Sequence, residues 1–339
     1  MVEQAVGHLA ANRAEPDQPN PQRLVMHLAI LSAVALLLRE ADVERLVDMG
    51  TVIDAVEASL VALGSGEAEN QPRRRVFPPG GVLNVMFASW PEIGLTGLKS
   101  YTVASGGARF LVILYDLEGA PQALIEADRL GAFRTGAATG VAARGLSPAG
   151  PKTVALIGTG WQARTQAQAL RLALDIAELR VFGRDPEKRS RFAEEFGGVP
   201  APSAEAAVRD ADVVVTMTTS ATPVLECAWV KPGAVVIGAG SNYPHRAELP
   251  ADLVNSARAV VVDQRETARL ESGDLLQAGY DVDRALELGA VLAGKAALPP
   301  GDGPVVAESH GLAIWDIAAG RTVLDAARRE GLGEEIKLF

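Results

Sequence analysis

Cysteine is almost absent from this chain: Cys227 is the single one among 339 residues, so no disulfide can form within it. That usage fits a reducing cytoplasm, where the protein is expected to reside. Histidine is nearly as scarce, with four residues, none spaced with cysteine or acidic residues as metal ligands are. No metal site is expected. Positive charge is in deficit: 32 Lys and Arg face 42 Asp and Glu, for a net charge of −10. A nucleic-acid partner needs clustered cations for its phosphates, and the one basic run, Arg73 to Arg75, is too short to provide them. Membrane-length hydrophobic runs are lacking too. Residues 24–38 (LVMHLAILSAVALLL) are apolar but short for a span and interrupted by His27. A signal peptide would need a basic region before this run and a cleavage site after it, whereas the first 23 residues are mixed and polar. The second half of the run reads as the first strand of the fold. Residues 1–34 read as a leader of unknown role, with Met26 a second candidate start.

What the chain does contain is ordinary for a globular protein: 48% hydrophobic and 22% charged residues. Its length suits two domains. Val43, Leu46, Val47, Met49, Val52, Ile53, Val56 and Leu60 recur at helical spacing, predicting a helix over 42–64 closed by Gly64. Residues 65–75 read as a polar loop. Short alternating runs from Val76 to Ile125 predict a small antiparallel sheet, with a hairpin turn at Asp116 to Gly119. Residues 128–145 are dense in Ala and Gly and predict a closely packed helix linking the domains. After Pro151, apolar strands alternate with helices (VALIG, LRVFG, ADVVVTMT, AVVIGAG, ARAVVVD), and Leu312 to Gly331 is helical again. The expected fold is α/β: a Rossmann-type doubly wound parallel sheet domain plus an N-terminal α+β domain.

The strand Val154 to Ile157 runs into Gly158-Thr159-Gly160-Trp161-Gln162-Ala163, the pattern G-x-G-x-x-A ahead of a helix. Gly158 permits the tight turn, Gly160 lets backbone approach a pyrophosphate, and Ala163 keeps helix and strand close. The helix N-terminus offers free N–H groups to the phosphates. A nicotinamide dinucleotide is the expected cofactor. An acid at the end of the second strand would accept the ribose 2′-OH of NAD, but Gly183 stands there, followed by Arg184, with Lys188 and Arg189 near. Arg184 pairing with a 2′-phosphate favours NADP over NAD. The alternative is a solvated Arg184, with Asp185 serving the ribose. Thr216, Thr218 and Thr219 end one later strand, and Gly240 and Ser241 end the next. Each is a candidate cofactor contact or an ordinary turn residue.

On the substrate side, Lys99 lies in a strand-like stretch and points either to solvent or to a ligand. Arg134 lies among small residues, and a buried arginine there needs an anionic partner, a structural carboxylate or a substrate's. Arg74, in the segment before the sheet, is unremarkable alone.

These segments together resemble the ornithine cyclodeaminase/mu-crystallin family. The likeness is carried by Gln71-Pro-Arg-Arg74, Gly97-Leu-Lys99, Arg134-Thr-Gly-Ala-Ala, Leu156 to Ala163 and Ala211 to Thr216. It continues in Gly240-Ser-Asn242 with Glu248-Leu249, and in Glu271-Ser-Gly-Asp274, running from about Leu36 to the C-terminus. The resemblance implies a homodimer paired through the N-terminal sheet domain and a small carboxylate-bearing amino or imino acid as substrate. It implies Arg74, Lys99 and Arg134 as the carboxylate clamp, a chemically sensible set because arginine offers a planar fork and lysine a movable donor. It also implies a substrate-binding and dimerisation domain over 35–133, rejoined by 321–339, and a dinucleotide-binding domain over 134–320.

The chain departs from the family where true cyclodeaminases carry a proton-transferring aspartate, for the aligned residue is Asn242, and an amide is no general base at neutral pH. Glu308-Ser-His310-Gly311 likewise stands where many relatives show a Lys-Ser-Leu-Gly-like run, and His310 is either a proton donor near the nicotinamide or a helix-start residue. The departures favour hydride transfer at a C–N bond, as a ketimine or imino-acid reductase or an amino-acid dehydrogenase, with Lys99, Asn242 and His310 the candidate catalytic residues. The alternatives are cyclodeamination of ornithine to proline and ammonia, and a non-catalytic NADPH-binding protein like mu-crystallin.

Overall fold

The computed structural model describes residues 34–338, so the leader reading and His27 lie outside the described residues. The first sheet begins with strand β1 (Val34–Leu38), the second half of the apolar run. Two helices follow where one is predicted, α1 (Glu40–Leu46) and α2 (Met49–Ser65). Asp48 breaks the pattern by capping α2, its carboxylate accepting from the Thr51 N–H at 2.8 Å. Gly66 closes α2 with φ +79.

The expected loop at 65–75 is largely strand β2 (Glu69–Val76), paired antiparallel with β3 (Gly81–Trp90). Its polar sequence hid it, because its inward side chains face a polar site rather than a greasy core. Strands β4 (Leu95–Ala104), β5 (Gly107–Asp116) and β6 (Pro121–Glu126) complete the antiparallel run, with the expected turn after Asp116.

Helix α3 (Asp128–Leu146) crosses to the second sheet. Its glycines admit α4 (Trp161–Ala173) at close range, since a Cβ on Gly136 would strike the Thr165 backbone. Strands β7 (Lys152–Ile157), β8 (Ile176–Phe182) and β9 (Val199–Pro200) lie on one side of that sheet. They are separated by α4 and α5 (Pro186–Glu195). After α6 (Ala204–Val208) come β10 (Val213–Thr216) and β11 (Val235–Gly238), then α7 (Ala251–Ser256), β12 (Ala259–Val262), α8 (Arg265–Glu271) and α9 (Gly273–Gln277). The sequence continues through β13 (Leu286–Glu287), α10 (Leu288–Leu292) and β14 (Val305–Glu308). The order β13-β12-β14-β11-β10-β7-β8-β9 is parallel throughout, and the chain reverses direction of growth between β7 and β10. A ligand crevice is expected outside the carboxyl ends of those two strands. Strand β14, four residues long and inserted between β11 and β12, has too few residues to show a period in sequence.

The chain returns to the first sheet through α11 (Ala313–Glu330), and β15 (Glu334–Lys337) pairs with β1. The return begins with this helix at Ala313, ahead of the expected 321. Gly320 lies against Leu114 and Ile125 of the first sheet, and Ile317 against Gly97. That placement carries Asp316 into the space between the two sheets.

Candidate active site

Two adjoining clefts open at the reversal point, of about 680 and 380 Å3, and share Gln162, Met217 and Gly240 as walls. The larger is lined by the glycine turn, Gly158 to Ala163, by Phe182, Gly183 and Arg184 at the end of β8, and by Met217 to Ala221 after β10. Gly158 has φ +129, and a Cβ there would collide with the Met217 carbonyl, so the turn demands glycine. Gly160 differs: nothing stands within 4 Å of its missing Cβ, and it caps α4 without a side-chain hydrogen bond. The N–H groups at the start of α4 therefore face the cleft free of a capping side chain, as a pyrophosphate requires. The residues fit a dinucleotide.

The ribose end is built differently from the simplest expectation. Gly183 is buried, and a Cβ on it would lie 2.6 Å from the Thr159 hydroxyl, so an acidic side chain there would have to displace the Thr159 side chain. Asp185 does not face the cleft: it caps α5, accepting from the N–H groups of Glu187 and Lys188 at 3.0 and 3.1 Å. Those bonds hold its carboxyl below the usual range. Arg189 packs over Phe182 and donates to the Gly183 carbonyl at 3.0 Å, bracing the strand end rather than lining the cleft. Arg184 is exposed and lines the cleft.

Thr216 also departs from expectation. It is fully buried and its hydroxyl donates to Glu248 at 3.0 Å. Glu248 in turn accepts from the Thr218 N–H at 2.8 Å and the Gly240 N–H at 2.7 Å, tying together the ends of β10 and β11. Burial pushes its carboxyl up against these bonds. Thr218 and Thr219 do line the larger cleft, while Gly240, Ser241 and Asn242 line the smaller.

The smaller cleft lies between the two sheets and gathers three buried cations. Lys99 of β4 reaches Asp316 at 2.9 Å, and Arg134 of α3 places Nε on the same oxygen at 3.0 Å. The third is Arg73, not Arg74. Pro72 donates no N–H, and the β2–β3 register shifts between Gln71 and Arg74, so Arg73 turns inward and Arg74 is exposed. Arg73 pairs with Glu271 and donates to the His310 carbonyl at 3.1 Å. Sequence reasoning missed Arg73, Glu271 as its partner, and Asp316. A lone acid in the apolar run Ala313 to Ala319 was the available signal for the last.

The charge distribution leaves this cleft short of anions. Arg134 spends only Nε on Asp316, and neither terminal nitrogen has a hydrogen-bond partner among the described residues. Those nitrogens lie beside Gly311, with a terminal nitrogen of Arg73 in the same place. Burial drives the Lys99 ammonium down to about 8 against the pull of Asp316. Burial also opposes ionisation of Asp316, but Arg134 and Lys99 outweigh it and hold that carboxyl low. Asn242 contributes its backbone carbonyl to Arg75 at 3.1 Å. His310 contributes backbone to the wall, but its ring is wholly enclosed between Asp263 and Glu308, so it does not face the cleft as a proton donor would. Among the described residues no group of His, Cys and acidic side chains is arranged to hold a metal ion, and no helix is long and apolar enough to cross a membrane.

Comparison with known proteins places the chain among relatives of one family. The model of the ornithine cyclodeaminase/mu-crystallin family matches residues 33–331. A Delta(1)-pyrroline-2-carboxylate reductase from Bacillus cereus is 33% identical over 89% of this chain and 99% of its own length. An archaeal alanine dehydrogenase dimer with bound NAD superposes with a TM-score of 0.83, with 30% identity over 90% of this chain and 100% of the other. The Delta(1)-pyrroline-2-carboxylate reductase of Thermococcus litoralis, in complex with NADH and L-proline, gives a TM-score of 0.81 at 27% identity over 89% and 100% of the two chains. The chain belongs to the ornithine cyclodeaminase/mu-crystallin family, as a nicotinamide-dependent oxidoreductase.

Proposed function

We propose that the protein reduces the C=N bond of a small imino acid that bears a carboxylate beside the imine carbon, or oxidises the corresponding amino acid. The observation that carries this is the open fork of Arg134, held by Asp316 beside Lys99 and Arg73, next to the wall shared with the dinucleotide cleft. A planar guanidinium fork matches a carboxylate. Gly158 to Ala163 would hold a nicotinamide dinucleotide in the larger cleft, and in its reduced form that group would supply the hydride. Arg134 and Arg73 bind and orient the substrate carboxylate. Lys99 holds a proton at Nζ that the imine nitrogen needs as its carbon is reduced, and a pKa of about 8 suits such transfer near neutrality. Met217 and Gln162, which line both clefts, stand where the two ligands would meet.

Asn242 at the cleft wall, in place of an aspartate, supports reduction over cyclodeamination. The crowded Cβ position at Gly183, the engaged carboxylate of Asp185 and the exposed Arg184 support NADP over NAD. A homodimer is supported by the outer face of the first sheet, where Phe87, Leu98, Ile113, Leu124 and Leu37 form one cross-strand apolar row. The test is oxidation of NADPH and NADH with five- and six-membered cyclic imino acids, with ornithine and ammonia detection alongside. Cofactor oxidation with an imino acid is expected. Ammonia from ornithine without net cofactor change would instead establish cyclodeamination.

A further inference from the structure

Behind the cationic cleft lies a cluster that the proposed chemistry does not use. Asp263 follows β12, Glu308 ends β14, Asp274 lies in α9, and Glu248 ties the ends of β10 and β11. All four carboxylates are buried. His310 stands among them with its side chain wholly enclosed. Its Nδ1 is 3.3 Å from Asp263 and its Nε2 is 3.6 Å from Glu308.

A neutral imidazole carries one N–H, so one of its nitrogens would turn a lone pair toward a carboxylate. At 3.6 Å the ring Nε2 makes no hydrogen bond to Glu308 and has no other partner among the described residues, so the ring meets that carboxyl by packing and polarity. Burial, with Asp274 next to it, pushes the Glu308 carboxyl well above its usual range, in keeping with a retained proton. The other oxygen of Asp263 accepts from the backbone N–H groups of His310 and Gly311, each at 2.8 Å. The same short segment presents the His310 carbonyl to Arg73 and places Gly311 under the free fork of Arg134. The ring is thus fixed on one side to the carboxylate cluster. On the other side the His310 carbonyl accepts from Arg73, and Gly311 lies beside the fork that Asp316 holds on Arg134.

We propose that His310 is a positioning residue for the substrate carboxylate: wedged between Asp263 and Glu308, it holds Ser309 to Gly311 so that Arg73 and the fork of Arg134 converge on one anion. This rests on the reading of the cleft as a carboxylate site. It also assigns a purpose to the paired departure at 308 and 310 from the Lys-Ser-Leu-Gly-like run, since the histidine stands with the glutamate as a unit. The role is indirect, because the enclosed ring touches neither ligand.

The test compares the full-length wild type with His310→Leu, with the double variant Glu308→Leu/His310→Leu, and with Glu308→Gln. The double variant replaces both buried partners by apolar groups, which avoids stranding one carboxylate and keeps the experiment informative where the single leucine fails to fold. Glutamine keeps the size and polarity of Glu308 and so preserves the packing against the ring. Two quantities are read: KM and kcat for a cyclic imino acid, and the Kd of pyrrole-2-carboxylate, a planar unreactive carboxylate, for the NADPH-loaded protein. The leucine variants are expected to raise KM and Kd about tenfold with kcat changed less than about threefold, and Glu308→Gln to leave all three within about twofold. Unchanged KM and Kd in the leucine variants would overturn the proposal. A fall in kcat at constant KM would overturn it too, by making the ring a proton donor. Wild-type protein that binds pyrrole-2-carboxylate but turns over no imino acid would defeat the reductase reading, while the Kd comparison would still decide the role of His310.

Discussion

The two clefts share three wall residues and were assembled by different means. The dinucleotide cleft is built from one continuous turn, Gly158 to Ala163, with short additions from neighbouring strand ends. The carboxylate cleft takes Arg73 from β2, Lys99 from β4, Arg134 from α3 and Asp316 from α11, residues separated by up to most of the chain. The first is a local property of backbone conformation, robust to what surrounds it. The second exists only when two sheets and a returning helix come together, and each cation depends on a buried acid for its position. Changes in the second should therefore propagate, while changes at the rim of the first should stay local.

The largest effect that would sharpen this contrast is at Arg134. Arg134→Ala removes the fork and strands Asp316 beside Lys99. It is expected to cost about 3–4 kcal/mol of transition-state stabilisation, on the order of 10²–10³-fold in kcat/KM for the imino acid, with cofactor affinity retained. Fluorescence titration with NADPH alongside the kinetics reads both quantities. Next is the neighbouring pair at β2. Arg73→Ala should lower kcat/KM on the order of 10²-fold, and Arg74→Ala should change it less than about twofold, because only Arg73 is buried in the cleft. Equal effects would break the assignment of the bulge.

Lys99 gives the pH dependence. Its ammonium is brought down to about 8, so the charged, proton-holding form prevails below that pH and is lost as pH rises through it. The kcat/KM for the imino acid should fall above pH 8 by up to about tenfold per unit, and Lys99→Arg should move that limb upward. The sign for stability is opposite. The unfolded chain holds this proton up to the ordinary lysine range, so between about 8 and that range Lys99 makes the fold gain stability with rising pH. The smallest effect lies at the rim of the dinucleotide cleft. Arg184→Ala should raise the KM for NADPH about tenfold and leave that for NADH nearly unchanged, since the exposed guanidinium has a 2′-phosphate to meet only in NADPH.

How legible each region was in the sequence follows from the same contrast. The glycine turn, the parallel strands and the Ala/Gly-rich helix were readable because each is fixed by short-range sterics: Gly158 by its positive φ, Gly136 by the approach of α4. Lys99 and Arg134 were singled out, but their shared partner Asp316 was not, because nothing local marks a helix that returns from the far end of the chain. Arg74 was carried over from the family resemblance, and Arg73 was missed because its segment read as a loop, where no count of residues reveals the bulge beside Pro72 that turns Arg73 inward. Strand β2 read as a loop because its inward residues serve a polar cleft, so the apolar alternation that marks a strand is missing. Thr216, read from its strand end as a cofactor contact or a turn residue, and His310, read as a proton donor or a helix-start residue, could not be decided in sequence, and burial against Glu248 and Asp263 turns both side chains to internal use.

The most direct test of the account is a comparison of two substrates. Steady-state NADPH oxidation would be followed with a five-membered cyclic imine that carries a carboxylate on the imine carbon, and with the same ring lacking it. The account predicts turnover of the first and a kcat/KM at least about 10²-fold lower for the second, because Arg73, Lys99 and Arg134 would have no anion to hold. Equal rates for the two rings would contradict it, since the buried cations would then have no part in recognising the substrate.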